Sequence, residues 1–241
     1  MIGTGTLINA AAIVGGGVIG LLGGKLMKER LRETVQLACG ICVLFIGTAG
    51  AMEKMLKITD GDLVAGYSML ITICLVLGAV TGELLNIEHG FERFGEWLKE
   101  KTKNSKDASF VDGFVTASLT VSIGAMAIVG ALEDGITGDW SILAAKSVLD
   151  FIIVLVMTCS MGKGCIFSAI PVFVFEGLIT LLAVFIKPYM TSQALNFISL
   201  IGSILIFCVG INLVWGKKIR VANLLPALVF AVIAAFLPFF D

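Results

Sequence analysis

Apolar runs of about twenty residues recur along this chain from one end to the other. A run of that length crosses roughly 30 Å of hydrocarbon as a helix, which satisfies its own backbone amides where no water is present to do so. The chain is 58% hydrophobic and 15% charged, against about a quarter charged in a soluble domain. The pattern predicts an all-α fold, a polytopic transmembrane helical bundle of about eight spans in one integral membrane domain over 1–241. The expected spans are Thr6–Gly24, Val35–Met52, Leu63–Leu85, Phe110–Leu132, Ser141–Met161, Ile166–Ile186, Leu195–Val214 and Val221–Leu237.

The basic residues orient these spans. With the N-terminus outside, thirteen of the seventeen Lys and Arg fall in inner loops, among them Lys25, Arg32, Lys106 and Lys217. Three lie outside (Lys54, Lys57 and Lys187), and Lys146 lies within a span. Positive charge favours the cytoplasmic side, so both termini are expected outside. Basic residues follow the first apolar run rather than precede it, the reverse of a secretory signal, so that run is expected to remain as span one. The loop 86–109 carries Ile87, Phe91, Phe94 and Leu98 on one helical stripe beside Trp97, with Arg93, Lys99 and Lys101 supplying charge. It reads as an amphipathic helix in the cytoplasmic interface. Nothing in the charge pattern points to nucleic acid, so the lipid bilayer and a small solute or ion are the expected partners.

Charge inside a span is costly and is the strongest functional signal in such a chain. Asp150 lies near the middle of span five, with Lys146 one turn earlier on the same face. Glu176 lies near the middle of span six without a cation close in sequence, and Asn9 is a polar residue in span one. These four are the candidate substrate- or ion-binding residues. A static Lys146–Asp150 pair that fixes packing is the alternative, although such a pair gains little over apolar residues of similar volume. Glu83 and Asp112, near the inner ends of spans three and four, are candidates for an inner gate or ordinary interfacial acids. Between spans four and five, Glu133, Asp134 and Asp139 have no basic neighbour in their loop. They are expected either to form an acidic outer mouth that draws cations or to serve as turn and cap residues, Asp139 at the start of span five.

Other motifs carry less. The six cysteines lie in or beside apolar runs, and the CxxC of Cys39 and Cys42 reads as two small hydrophobes. His89, the one histidine, lies outside the spans, so no metal site is expected. There is no HExxH, GxSxG or His-rich cluster, so neither an enzyme nor a cofactor is expected. Glycines crowd span one, with Gly16, Gly20 and Gly24 spaced as GxxxG, which predicts close helix packing within the chain or across a homodimer. Pro171 and Pro226 are expected to break or kink spans six and eight. "GICVLFIG" from Gly40 echoes "GSILIFCVG" from Gly202, and spans one to three would then correspond to spans six to eight as an inverted repeat of the kind found in secondary transporters.

Several stretches together resemble a known family: "GTLINAAAIVGGGVIGLLGGKL" from Gly5, "RLRETV" from Arg30, "GAVTGELLNIE" from Gly78, "GAMAIVGALEDGITGDWSILAAKSVLDF" from Gly124 and "VANLLPAL" from Val221. They are similar to an uncharacterised bacterial inner-membrane family, the domain of unknown function 554, over essentially the whole chain. The resemblance implies a multi-pass protein of the bacterial cytoplasmic membrane and no established activity. Near Glu176 the family is associated with a glutamine, which ranks Glu176 behind Asp150. The residues themselves point to a secondary transporter coupled to a proton or cation. A passive ion channel and a non-transporting scaffold are the alternatives.

Overall fold

A computed structural model of the chain describes residues 2–26, 28–59, 62–104, 107–123 and 125–237, with the backbone alone at 25, 26, 29, 32, 59 and 125. Lys106 and the side chains of Lys25 and Arg32, counted above among the inner basic residues, lie outside the described residues. In chain order come α1 (Thr4–Leu26), α2 (Glu29–Met55), the hairpin β1 (Leu56–Thr59) and β2 (Asp62–Ala65), α3 (Ser68–Leu85), α4 (Ile87–Lys101), α5 (Phe110–Ser122) and α6 (Ala125–Thr137). Then follow α7 (Ser141–Met161), a 3-10 segment Lys163–Ser168, α8 (Ala169–Leu181), α9 (Ala183–Ile186), a 3-10 turn Lys187–Tyr189, α10 (Ser192–Trp215), a second short 3-10 segment Val221–Leu224 and α11 (Pro226–Ala234). The result is an all-α polytopic bundle with one small hairpin.

Among the described residues, six helical stretches are long and apolar enough to cross a membrane. The expected fourth span is α5 and α6, bent by 63° at their junction. The eighth is shorter than expected: α11 has nine residues, about 13 Å of helix. Pro226 stands at its first position, where the missing amide costs nothing, so this proline starts a helix and does not kink one. Pro171 likewise sits in the first turn of α8, after the 3-10 segment. Span three begins later than expected, because Leu63–Ala65 belong to β2, paired antiparallel with β1 from Leu56↔Ala65 to Thr59↔Asp62. The β-branched Ile58, Thr59 and Val64 favour extended backbone there. The Lys57 ammonium sits 4.2 Å over the Tyr67 ring at the hairpin's base.

Large apolar side chains such as Phe45, Leu84 and Phe185 point outward, as lipid-facing residues must. Inside, backbones approach closely at glycine. Gly16, Gly20 and Gly24 of α1 lie against the carbonyls of Phe151, Leu155 and Cys159 of α7, in constant register, so the two helices run parallel. The GxxxG face of span one therefore packs within the chain, against α7. Helices α2 and α10 cross antiparallel in the same manner. A Cβ on Gly47 would lie 2.5 Å from the Phe207 amide, and one on Gly210 would lie 2.8 Å from the Leu44 amide. When Gly47 is laid over Gly210, Leu44 falls on Phe207, so each contact is the counterpart of the other. The Gly50–Ser203 and Gly40–Leu213 contacts exchange in the same way. Antiparallel packing of two helices produces this exchange by itself. Helix α3 also runs antiparallel to α11 and the 3-10 segment before it, with Gly78 on Ala227 and Gly82 on Asn223.

The α1–α7 seam has a direct test. Gly20→Ala should lower stability by about 1–3 kcal/mol, the usual cost of overpacking. Gly15→Ala, whose added methyl would lie 3.7 Å from the Phe151 ring, should not. Thermal unfolding of the two variants in detergent measures the difference.

Candidate functional site

The i,i+4 spacing on α7 brings Lys146 and Asp150 together, and the bend between α5 and α6 supplies their surroundings. At Ile123 the chain turns extended, so the last carbonyls of α5 lose their helical partners. Lys146 Nζ donates to one of them, Val121 O, at 2.7 Å. It also donates to Asp150 Oδ2 and lies 3.4 Å from Glu176 Oε1. Three acceptors match the three protons of an ammonium, and a cation at a helix C-terminus complements the helix dipole. Asn9 of α1 donates its Nδ2 to Glu176 Oε1 at 2.9 Å and lies within hydrogen-bonding reach of Asp150. All four side chains are buried, with exposures of 6% for Lys146, 4% for Asp150 and 0% for both Asn9 and Glu176. The four candidate binding residues therefore converge on one cluster held by α1, α5, α7 and α8. On the same α1–α8 seam, Thr6 and Thr180 pair through their hydroxyls at 3.4 Å, a pair that sequence reasoning did not single out.

The acidic mouth does not form as expected. Asp134 is fully buried. Its Oδ1 accepts the Gly3 amide at 3.1 Å and its Oδ2 the Gly5 amide at 2.9 Å, so it closes the N-terminus of α1 from across the chain, where a carboxylate suits free amides and the positive dipole end. Asp139 is exposed and accepts from the Ser141 amide (2.9 Å) and hydroxyl (2.6 Å) at the start of α7. These bonds hold its carboxyl below the usual range. Of the three acids only Glu133, half-buried, is not engaged at a helix start. Glu133 and Asp134 belong to α6 and Asp139 to the connection after it, and two of the three carboxylates accept backbone amides.

At the opposite, basic end the inner-gate candidates separate. Glu83 pairs with Arg220 and accepts from Asn223 Nδ2 at 2.5 Å. Asp112 is exposed in the first turn of α5 and lines a cavity of about 150 Å³ with Gln36, Glu88, Thr116, Asn212 and Lys217. That cavity extends to Leu119, two residues short of Val121, whose carbonyl binds Lys146. The residue that sequence reasoning missed is Glu88. It is buried at 5% exposure, pairs with Lys217 at 3.0 Å and accepts the Ala222 amide at 2.9 Å, while its own amide donates to Asn223 Oδ1 at 2.7 Å. Lys217 also pairs with Glu92, and Asn212 accepts the amides of Lys218 and Ile219 to fix this loop. Glu88 and Lys217 line both the small cavity and an open polar one of about 570 Å³, and so stand between them. The signal in the sequence was faint, since Glu88 opens the amphipathic helix among other charged residues. That helix, α4, packs Ile87 and Phe91 on the core and stacks Phe94 on Trp97 with ring centroids 5.7 Å apart.

Two predictions follow from these ends. Asp134→Ala, which frees the α1 amides, should cost about 1–2 kcal/mol in thermal unfolding. Glu92 is held below its ordinary value of 4.5 chiefly by the Lys217 hydrogen bond. A carboxyl lowered on folding stabilises above its unfolded value, and the contribution is lost as pH falls through its folded value. Lys217→Gln should therefore lower Tm at pH 7, and the gap to wild type should close on acidification.

The whole chain has relatives. Residues 4–236 match the family model described as protein of unknown function (DUF554). An uncharacterized protein, YqgA, of Escherichia coli (strain K12) is 29% identical over 231 residues, covering 94% of each chain. An uncharacterized membrane protein, YdfK, of Bacillus subtilis (strain 168) is 27% identical over 232 residues, covering 96% of this chain and 95% of that one. No solved structure matches significantly. With its apolar helices and a membrane protein among its relatives, the chain is a multi-pass membrane protein, and it belongs to the DUF554 family.

Proposed function

We propose that this protein is a secondary transporter of the bacterial cytoplasmic membrane, moving a small solute or ion with proton or cation coupling through the Lys146–Asp150–Glu176–Asn9 cluster. One observation carries the reading: three ionisable groups and an amide converge, buried, where a membrane-crossing helix breaks. Charged groups at such a depth are expensive, and transporters place their sites at discontinuous helices. The echo of GICVLFIG in GSILIFCVG supports an inverted repeat of spans one to three on spans six to eight, which would give alternating access two related halves. The cavity from the basic end stops at Leu119, short of the cluster, which favours an occluded site over a passive pore. The basic end faces the cytoplasm in this reading, both termini lie outside, and Glu88 with Lys217 is the inner closure. No catalytic chemistry is assigned to the protein.

The reading is tested in proteoliposomes loaded with a pH-sensitive dye, under imposed gradients of candidate ions and small metabolites. Wild type should couple proton movement to at least one gradient and show counterflow. Asp150→Asn should reduce that flux at least tenfold. An Asp150→Asn variant that moves the identified solute at the wild-type rate would remove the site, and flux without counterflow would make the protein a channel.

A further inference from the structure

The cluster is short of one positive charge. Asp150 and Glu176 face a single ammonium, Lys146, and among the described residues no other ionisable side chain forms an ion pair with them. Between Thr4 and Gly24, α1 carries no Asp, Glu, Lys or Arg. On α5 there is only Asp112 at the far end, and on α6 only Glu133 and Asp134 at the opposite end, where Asp134 is taken up by the α1 amides. Helix α8 carries Glu176 alone, and α10 carries none. A net negative charge in so apolar a setting calls for a counter-cation or a proton.

The oxygens decide between these. Asn9 Oδ1 and Glu176 Oε2 are buried and make no hydrogen bond to the described residues, nor to each other. A proton on Glu176 Oε2 would neutralise one charge and turn that oxygen into a donor. One cation placed against both oxygens would satisfy both. Carboxylate and amide oxygens are hard ligands that suit alkali and alkaline-earth ions. A deficit of one unit, with an ammonium already present, selects a single charge over a double one.

We propose that Asn9 Oδ1 and Glu176 Oε2, backed by the Asp150 carboxylate, bind one monovalent alkali cation, with the Lys146 ammonium as its fixed neighbour. The bound ion brings the cluster to neutrality: two carboxylates, one ammonium, one cation. It also joins α1 to α8 beside the α5 break, so ion binding tightens the seam that includes Thr6 and Thr180. This deepens the transport reading by naming the ion, and it rests on the same residues.

The test uses the purified full-length chain in detergent, with Na+, Li+ and K+ as probes and choline chloride holding ionic strength constant. Tm should rise with at least one alkali cation over choline, in a saturable manner, and radioactive Na+ or competition against it should give about one ion bound per chain. Glu176→Gln and Asn9→Ala should each weaken binding at least tenfold, while Glu96→Gln, exposed on α4, should leave it unchanged. Identical Tm in choline and all three alkali chlorides overturns the proposal, as does tighter binding of Mg2+ or Ca2+ than of any alkali ion. Should the variants fail to fold, the wild-type ion series and stoichiometry still decide. Asp150-dependent flux without alkali binding would remove the cation and keep the transporter. Saturable alkali binding with no flux for any solute would do the reverse.

Discussion

The rest of the structure depends on how one buried ammonium is satisfied. Lys146 is buried, and its three donors are met by a backbone carbonyl, an aspartate and a glutamate from three different helices. The carbonyl is available only because α5 stops at Ser122 and the chain turns extended at Ile123. The helix break and the buried charge therefore explain one another: an intact span would have withheld Val121 O, and a break without Lys146 would leave that carbonyl unpaired in an apolar interior. Glu176 and Asn9 complete the arrangement from α8 and α1, so four elements are fixed relative to one another by polar contacts at one place.

Glycine does the complementary work in the apolar seams. Where α1 meets α7, and where α2 crosses α10, backbones come too close for any side chain. In lipid there is little hydrophobic drive between helices, and close van der Waals packing takes its place. The two types of seam differ in consequence. The α1–α7 seam is parallel and carries the charged cluster along one edge. The α2–α10 crossing is antiparallel, with glycines of each helix set against the other's backbone.

Much of this was legible in the residues. The apolar runs gave the bundle, because the length of a span is set by the bilayer. The four-residue step from Lys146 to Asp150 placed both on one face, because helical geometry is local. Glu176 stood out as an acid without a cation close in sequence, and its cation proved to be Lys146, thirty positions away only in sequence terms (Lys146 and Glu176 are on neighbouring helices). What was not legible depended on tertiary approach. Nothing local shows that Val121 offers its carbonyl, that Asp134 reaches back to the first turn of α1, or that Glu88 is buried under Lys217. In the acidic stretch Asp139 bonds the start of α7, one of the two roles expected of it, while Asp134 is spent on α1 amides that only the fold brings to it. The hairpin before α3 and the short α11 show a further limit, since hydropathy marks apolar segments without deciding where helix begins.

The central claim is that the cluster carries transport beyond holding the bundle together. The Asp150→Leu variant separates the two, because Lys146 keeps Val121 O and the Glu176 carboxylate as partners and the remaining pair is neutral. The decisive measurement is proton-coupled flux of this variant in proteoliposomes, with its Tm taken on the same preparation. The account predicts a folded protein with a Tm near wild type and flux reduced to background. A folded Asp150→Leu variant with wild-type flux would contradict it.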